Sequence, residues 1–364
     1  MSDVVGKPLK VLVTGANGLL GRSVVTALID RGHRVRAMVR PATDVSHLHW
    51  PNDVEIFRAD LRVSRELQSA FEGIDVLVHL AAVVTGGEEA QLAGTVIGTE
   101  RLLDAMARSQ ARRIVFAGTF SVYDWSTIRR QLTEDSPLEQ APDLYERDGY
   151  AIAKMWQERV VRRMTQESGW DLTVLRPGFI WGKGNEYLFG LGQRAGPLQL
   201  LFGARRRLPL TYVENCADVF AECVSIPAAA GQTFNVVDSD DVTVWRYAGQ
   251  WMRRTGKRGV RIPVPYSLAT LATRVAQRTS KLIFHGKGKL PSILVPCRFE
   301  ARFKPLRFPN TKLRTVLGWK PKFSFEEALE RTYEAGQCNQ PAAMATVVDS
   351  RTAFTPSPSG RGSG

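Results

Sequence analysis

The sequence predicts an α/β fold: a Rossmann-type, doubly wound parallel sheet with a smaller α/β substrate-binding lobe on the C-terminal side. Three observations carry this. Short apolar runs alternate through the first half with helical stretches of about ten to fifteen residues, as parallel strands joined by crossover helices require. The first run leads into "TGANGLLG" (14–21), a glycine-spaced loop that opens a helix. Strand-like runs return beyond residue 170, and the residues between and after them are left to build a second lobe.

In chain order, KVLVTG (10–15) is the first strand and the helix after it runs to about Arg31. HRVRAMVR (33–40) and VEIFRAD (54–60) follow, then a helix over 64–72 and the strand DVLVHLAA (75–82). A helix near 95–109 leads to RRIVFAGT (112–119), and DLTVLRPG (171–178) and TFNVVDS (233–239) are later strands of the same sheet. The expected division is a dinucleotide-binding unit over 8–178, with later strands near 210–240, and a lobe mainly within 179–335. Residues 336–364 change to Ala, Thr, Ser, Pro and Gly, a composition that predicts a disordered tail.

A chain of 364 residues buries a large core, and 44% hydrophobic with 23% charged residues is ordinary globular composition. No run of eighteen or so apolar residues predicts a transmembrane helix, and MSDVVGKPLK lacks a signal peptide's apolar stretch. Cys216, Cys223, Cys297 and Cys338 form no C-x-x-C pair, which argues for a reducing, cytoplasmic compartment; Cys216 and Cys223 read as core thiols. The five histidines (His33, His47, His49, His79, His285) have no metal-ligand spacing, so no metal is expected; His47 and His49 read as a loop pair. The net charge of +13 is dispersed, with clusters at Arg205–Arg207 and along 253–261, and matches no nucleic-acid-binding module.

In the glycine loop, Gly15 permits a tight turn, Gly18 a close approach of backbone to a pyrophosphate, and Gly21 close packing of helix on strand. The helix N-terminus adds free amides and a positive dipole end. Together these predict a dinucleotide site. An acid at the end of the second strand would bind the ribose 2′-hydroxyl and an arginine a 2′-phosphate. Arg40 stands there, with Arg36 earlier on the strand, which tilts the choice between NAD and NADP toward NADP. Asp60, closing the third strand, either meets the adenine end or caps its own turn.

"DGYAIAK" (148–154) begins a helix and stacks Tyr150 and Lys154 one turn apart. Of eight tyrosines, only Tyr150 has lysine four positions on. Such a pair is either a surface feature or a phenol whose acidity is tuned for proton transfer; a shift from about 10 to neutrality needs about 4 kcal/mol.

With TGANGLLG, Asp60, "HLAA" (79–82), "AGTFSVYD" (117–124) and "YAIAK" (150–154) in this order, the chain resembles the extended short-chain dehydrogenase/reductases, the group of NAD-dependent nucleotide-sugar epimerases and dehydratases. "LRPGFIWG" (175–182), "LTYVENCADV" (210–219) and "LGWKPKFSFEEAL" (317–329) extend the resemblance over roughly residues 8–335. The resemblance implies that Tyr150 is the catalytic acid/base, that Lys154 is its partner, and that Thr119 binds the reacting oxygen. It also implies a cofactor shell of Thr14, Gly15, Gly18, Leu19, Leu20, Gly21, Arg40, Asp60, Leu61, Ala81, Ala82, Tyr150, Lys154 and Pro177, and a homodimer through the helices near 95–109 and 151–165. Two positions depart from the group. Its Ser-Ser pair is absent, which leaves Ser121 a rival to Thr119, although strand alternation would turn Ser121 away. Its Asn in "N-x-x-G-T" is Thr95 here.

A nucleotide sugar is the leading substrate, with one of Arg205–Arg207 (Arg207 is the choice) on its diphosphate and Ser121 as a further contact. The alternative is an NADP-dependent ketone/alcohol reductase resembling hydroxysteroid dehydrogenases or dihydroflavonol reductases. A cofactor-binding protein without catalysis ranks last, because both Tyr150 and Lys154 are present. "YSLATLATRVAQRTSKLIF" (266–284) gathers positions 268, 271, 272, 275 and 276 on one apolar face and Arg274, Arg278 and Lys281 on another. The face is expected to pack on the second lobe, with an apolar lid or a membrane-surface helix as alternatives.

Overall fold

The computed structural model describes residues 7–48, 50–141, 147–238, 241–284 and 290–334. His49, His285, Ser239, Cys338 and the expected tail at 336–364 lie outside them. The strands and helices run β1 (Lys10–Thr14), α1 (Leu19–Ile29), β2 (Arg34–Val39), β3 (Glu55–Arg58), α2 (Ser64–Leu67), β4 (Val76–His79), α3 (Glu88–Leu92), α4 (Gly98–Ala107), β5 (Arg113–Ala117), α5 (Gly149–Ser168) and β6 (Asp171–Pro177). They continue with β7 (Phe179–Trp181), β8 (Gln193–Ala195), β9 (Leu198–Phe202), β10 (Leu210–Tyr212), α6 (Val213–Ser225), β11 (Thr233–Val236), α7 (Val244–Arg254) and β12 (Val260–Val264). Among the described residues four helices follow: α8 (Tyr266–Phe284), α9 (Pro296–Phe303), α10 (Thr311–Leu317) and α11 (Phe325–Glu334).

Seven strands form one parallel sheet in the order β11-β6-β5-β4-β1-β2-β3. Alternation along each strand covers both faces. Val11 and Val13 of β1 join α1, α6 and α10 in one core, while Leu12 joins α2, α4 and α5 in the other. Burying one such side chain fully is worth about 1.5–3 kcal/mol, so a sheet filled on both faces is a rigid platform. The strand order reverses between β1 and β4, which opens a crevice at their C-terminal ends. The second lobe carries a parallel pair (β10-β7), a three-stranded sheet (β12-β9-β8), and helices α7 to α9.

Two helices differ from expectation. The stretch 64–72 splits into α2 and a 3₁₀ turn at Ser69–Phe71. The helix expected near 95–109 is preceded by α3 and a π-helical turn at Ala93–Ile97, a wider i→i+5 winding that often marks functional sites. That turn leaves the Thr95 hydroxyl to accept the amide of Val83 at 2.9 Å, which ties it to the loop after β4.

Candidate active site

The glycine loop is built as its spacing predicts. Gly15 has φ +70°, and a Cβ there would sit 2.9 Å from the Ala81 nitrogen. A Cβ on Gly21 would lie 2.1 Å from the Gly15 oxygen, so only glycine lets α1 start this close to the loop. Gly18 precedes α1, and no side chain caps the helix's first amides. The loop therefore offers an anion a glycine cradle and an uncapped helix N-terminus, which fits a dinucleotide pyrophosphate. Thr14 ends β1, and Ala81 and Ala82 follow β4 on the other side of the crevice; the Ala81 amide points at the Thr14 hydroxyl, 3.4 Å away. Further out, Arg40 is exposed beyond β2, and Leu61 packs 3.1 Å from where a Cβ on Gly98 would be.

Asp60 caps its own turn, accepting the Arg62 amide at 2.9 Å and pairing with the Arg62 guanidinium at 2.6 Å. Arg62 holds its carboxyl below the usual range, and Arg40 adds to the effect. Arg36 is no part of this rim. Its side chain is buried, donates to the Ala70 carbonyl at 2.7 Å and pairs with Glu55 at 2.7 Å.

Helix α5 presents the central pair. Asp148 caps it, accepting the Ala151 amide at 2.8 Å, and Gly169 ends it in the left-handed region at φ +66°. Tyr150, Thr119, Ser121, Leu19, Leu20 and Pro177 line one cavity of about 470 Å³, so the first turn of α1 and the phenol share a space. The expectation that Ser121 turns away does not hold. The paired strand ends at Ala117, Thr119 stays extended, and a 3₁₀ turn at Phe120–Val122 then leaves the Thr119 and Ser121 hydroxyls 3.4 Å apart on one wall.

Tyr150 is half-buried, and desolvation, with the Asp148 carboxylate adding, pushes its phenol up to about 12 against a hydrogen bond from Thr119. Lys154 does not counter this in the way the sequence suggests. Its ammonium donates to the Ala117 carbonyl at 2.6 Å and to the Gln157 side chain, over the Phe116 ring at 4.7 Å. Burial pulls it down to about 7, with Glu158 resisting. Sharing a helical face brought the two residues together, but the lysine's own acceptors hold its charge beneath the sheet end. Working Tyr150 near neutrality therefore requires further positive charge beside the phenol.

His79 is a residue that sequence reasoning passed over. It is fully buried between Thr14 (2.7 Å from Nδ1) and Thr99 (2.8 Å from Nε2). Thr99 gives its proton to the Thr95 carbonyl, so Nε2 carries the imidazole hydrogen and Nδ1 accepts from Thr14. Gln157 joins this network to Lys154, donating to Thr99 at 2.8 Å and to the Ala81 carbonyl at 3.0 Å. Burial, with Lys154 adding, pulls the imidazole down to about 3. The unfolded chain takes up this proton near pH 6.5 and the folded chain does not, so the His79 contribution is full above 6.5 and is lost as pH falls toward 3. Denaturant melts should show the stability gap between wild type and His79→Gln narrowing by roughly 3 kcal/mol from pH 6.5 to 4. A constant gap would mean that His79 takes up its proton in the fold as readily as in the unfolded chain.

Arg207, the arginine expected on the substrate, is not brought to the cavity. Arg207 points outward to Asp241 at 2.8 Å and does not line the cavity. Arg206 lines it instead, buried, donating to the Phe202 carbonyl at 3.0 Å and to the Gly190 carbonyl. The turn at Gly203, with φ +63° and its carbonyl accepting the Arg206 amide at 2.8 Å, sets which arginine faces inward. Arg147 and Arg302 also line the cavity, and neither stood out in the sequence.

The profile of the NAD dependent epimerase/dehydratase family matches residues 11–236, which span the whole parallel sheet apart from the first residue of β1. The chain belongs to this family. It is an NAD(P)-dependent oxidoreductase of the extended short-chain dehydrogenase/reductase type. Among curated relatives, the 3 beta-hydroxysteroid dehydrogenase/Delta 5-->4-isomerase of Mycobacterium tuberculosis is 28% identical over 339 residues, 88% of each chain. The 2-alkyl-3-oxoalkanoate reductase of Stenotrophomonas maltophilia is 26% identical, covering 89% of this chain and 98% of its own. The solved UDP-glucose 4-epimerase of Thermotoga maritima shares the fold at TM-score 0.65 and 19% identity, over 90% of this chain and 98% of its own.

Proposed function

We propose that the protein interconverts a secondary alcohol and a ketone on a bulky apolar carbon skeleton. The observation that carries this reading is the cavity lining: Phe120, Trp125, Phe179, Leu188, Phe189 and Phe308 make much of it apolar and aromatic. Such a lining favours a hydrocarbon body over a diphosphate. The mycobacterial relative's name, which specifies a hydroxysteroid, supports the same class.

A nicotinamide dinucleotide held by the glycine loop and the N-terminus of α1 supplies hydride chemistry. Tyr150 takes the hydroxyl proton in oxidation and returns it in reduction, so hydride and proton together account for both hydrogens and both electrons. Thr119 and Ser121 orient the oxygen. Lys154 braces the helix against the Ala117 carbonyl. Arg40, exposed past the second strand with no acid on that strand end, supports NADP.

A nucleotide sugar is the second reading, and Arg147 and Arg302 on the cavity lining favour it, since a diphosphate calls for fixed cations. The test supplies NAD⁺ or NADP⁺ with hydroxysteroids and long-chain secondary alcohols, and in parallel with UDP-hexoses. Net formation of reduced nicotinamide with the apolar alcohols is expected, faster with NADP⁺. No net reduction, together with epimerised hexose, would overturn the proposal.

A further inference from the structure

Helix α8 is folded inside out. Ala269, Thr270, Thr273 and Ser280 are buried, while Leu268 (58% exposed), Leu271 (58%), Val275 (53%), Leu282 (79%) and Ile283 (62%) face outward. The face that the sequence pattern would pack on the lobe is therefore turned to solvent, and small and polar residues make the contact instead. At 100° per residue the outward apolar side chains and Ala272 fill an arc of about a third of the circumference, broken only by Thr279. Arg274, Arg278 and Lys281 are exposed along one edge of that arc.

A helix of a water-soluble protein buries its apolar stripe, and a contiguous exposed one marks an interaction surface. Nothing among the described residues covers this one. No helix among them is long and apolar enough to cross a membrane, so any bilayer contact is in-plane. We propose that α8 docks the protein on a lipid surface carrying anionic headgroups, with Leu271, Val275 and Leu282 entering the acyl boundary and the basic edge meeting the headgroups. Charge complementarity selects this occupant: the edge is cationic, Lys287 and Lys289 follow it in the sequence, and the chain carries +13 overall. Location agrees with it. α8 packs against α9, whose Arg298, Ala301 and Arg302 line the catalytic cavity, so docking sets the cavity beside the bilayer. The inference does not depend on which alcohol is oxidised.

The test is co-sedimentation of the full chain with phosphatidylcholine vesicles, with and without phosphatidylglycerol, at low and high salt. Wild type should sediment with the anionic vesicles and be released by salt. The double variant Leu271→Glu/Val275→Glu should bind roughly tenfold or more weakly, with its melting temperature and its turnover of a water-soluble alcohol unchanged. Arg274→Glu/Arg278→Glu should lose the salt-sensitive part. Failure of wild type to sediment, or equal sedimentation of the Leu271/Val275 variant, overturns the proposal. A wild-type dimer that the same variant splits, with no vesicle binding, assigns the face to a second copy and also overturns it.

Discussion

Tyr150→Phe is expected to lower turnover by roughly 10²- to 10⁴-fold, the range lost when a positioned proton-transfer group is removed. The substitution keeps the ring that lines the cavity and deletes only the hydroxyl, together with its bond to Thr119. Cofactor affinity, set by the glycine loop, should change little. The loss should fall on the chemical step, in both directions, because the same oxygen takes and returns the proton. Rapid mixing of enzyme, cofactor and substrate, read at the nicotinamide absorbance, separates this from slow product release. Turnover within a few-fold of wild type would remove Tyr150 from the mechanism.

Gly21→Val should abolish detectable cofactor binding and lower stability by about 1–3 kcal/mol or more, as overpacking does. The first added carbon already meets the Gly15 oxygen at 2.1 Å and the Ala16 oxygen at 2.7 Å. Both are backbone atoms, so relief comes only by moving the loop that cradles the pyrophosphate. Gly32→Ala is the control. Gly32 has φ +78° with nothing within 4 Å of a Cβ, so it should cost about 1–2 kcal/mol of backbone strain and leave cofactor affinity intact. Calorimetric titration with NAD⁺ and NADP⁺ reads one quantity and thermal melting the other. Full cofactor affinity in Gly21→Val would contradict the cradle.

The sheet was legible because a strand covered on both faces reads as an unbroken apolar run, and Val11–Val13 and Val76–Val78 are such runs. The glycine loop was legible because a 2.1 Å backbone approach excludes every other residue at position 21. Periodicity told less about α8. It grouped Leu268, Leu271 and Val275 on one face but carried no information on which face points inward, and the structure turns that face out. Arg206 and Arg207 are indistinguishable as letters; a positive-φ turn three residues earlier decides between them. Strand alternation would turn Ser121 away, but a 3₁₀ turn breaks the two-residue period of the strand before it. His79 carries no local signature, since its partners Thr14 and Thr99 are 65 and 20 residues away.

The most direct test of the central claim, that Tyr150 relays the proton with Lys154 in support, is the pH dependence of hydride transfer from the alcohol. In wild type the rate should rise with pH along a limb whose midpoint lies well below the value of about 12 that burial imposes on the phenol in the chain alone. The limb should vanish in Tyr150→Phe and persist at a lower rate in Lys154→Met, whose loss removes the brace on Ala117 and Gln157 and leaves the phenol in place. The same limb retained in Tyr150→Phe would contradict the account.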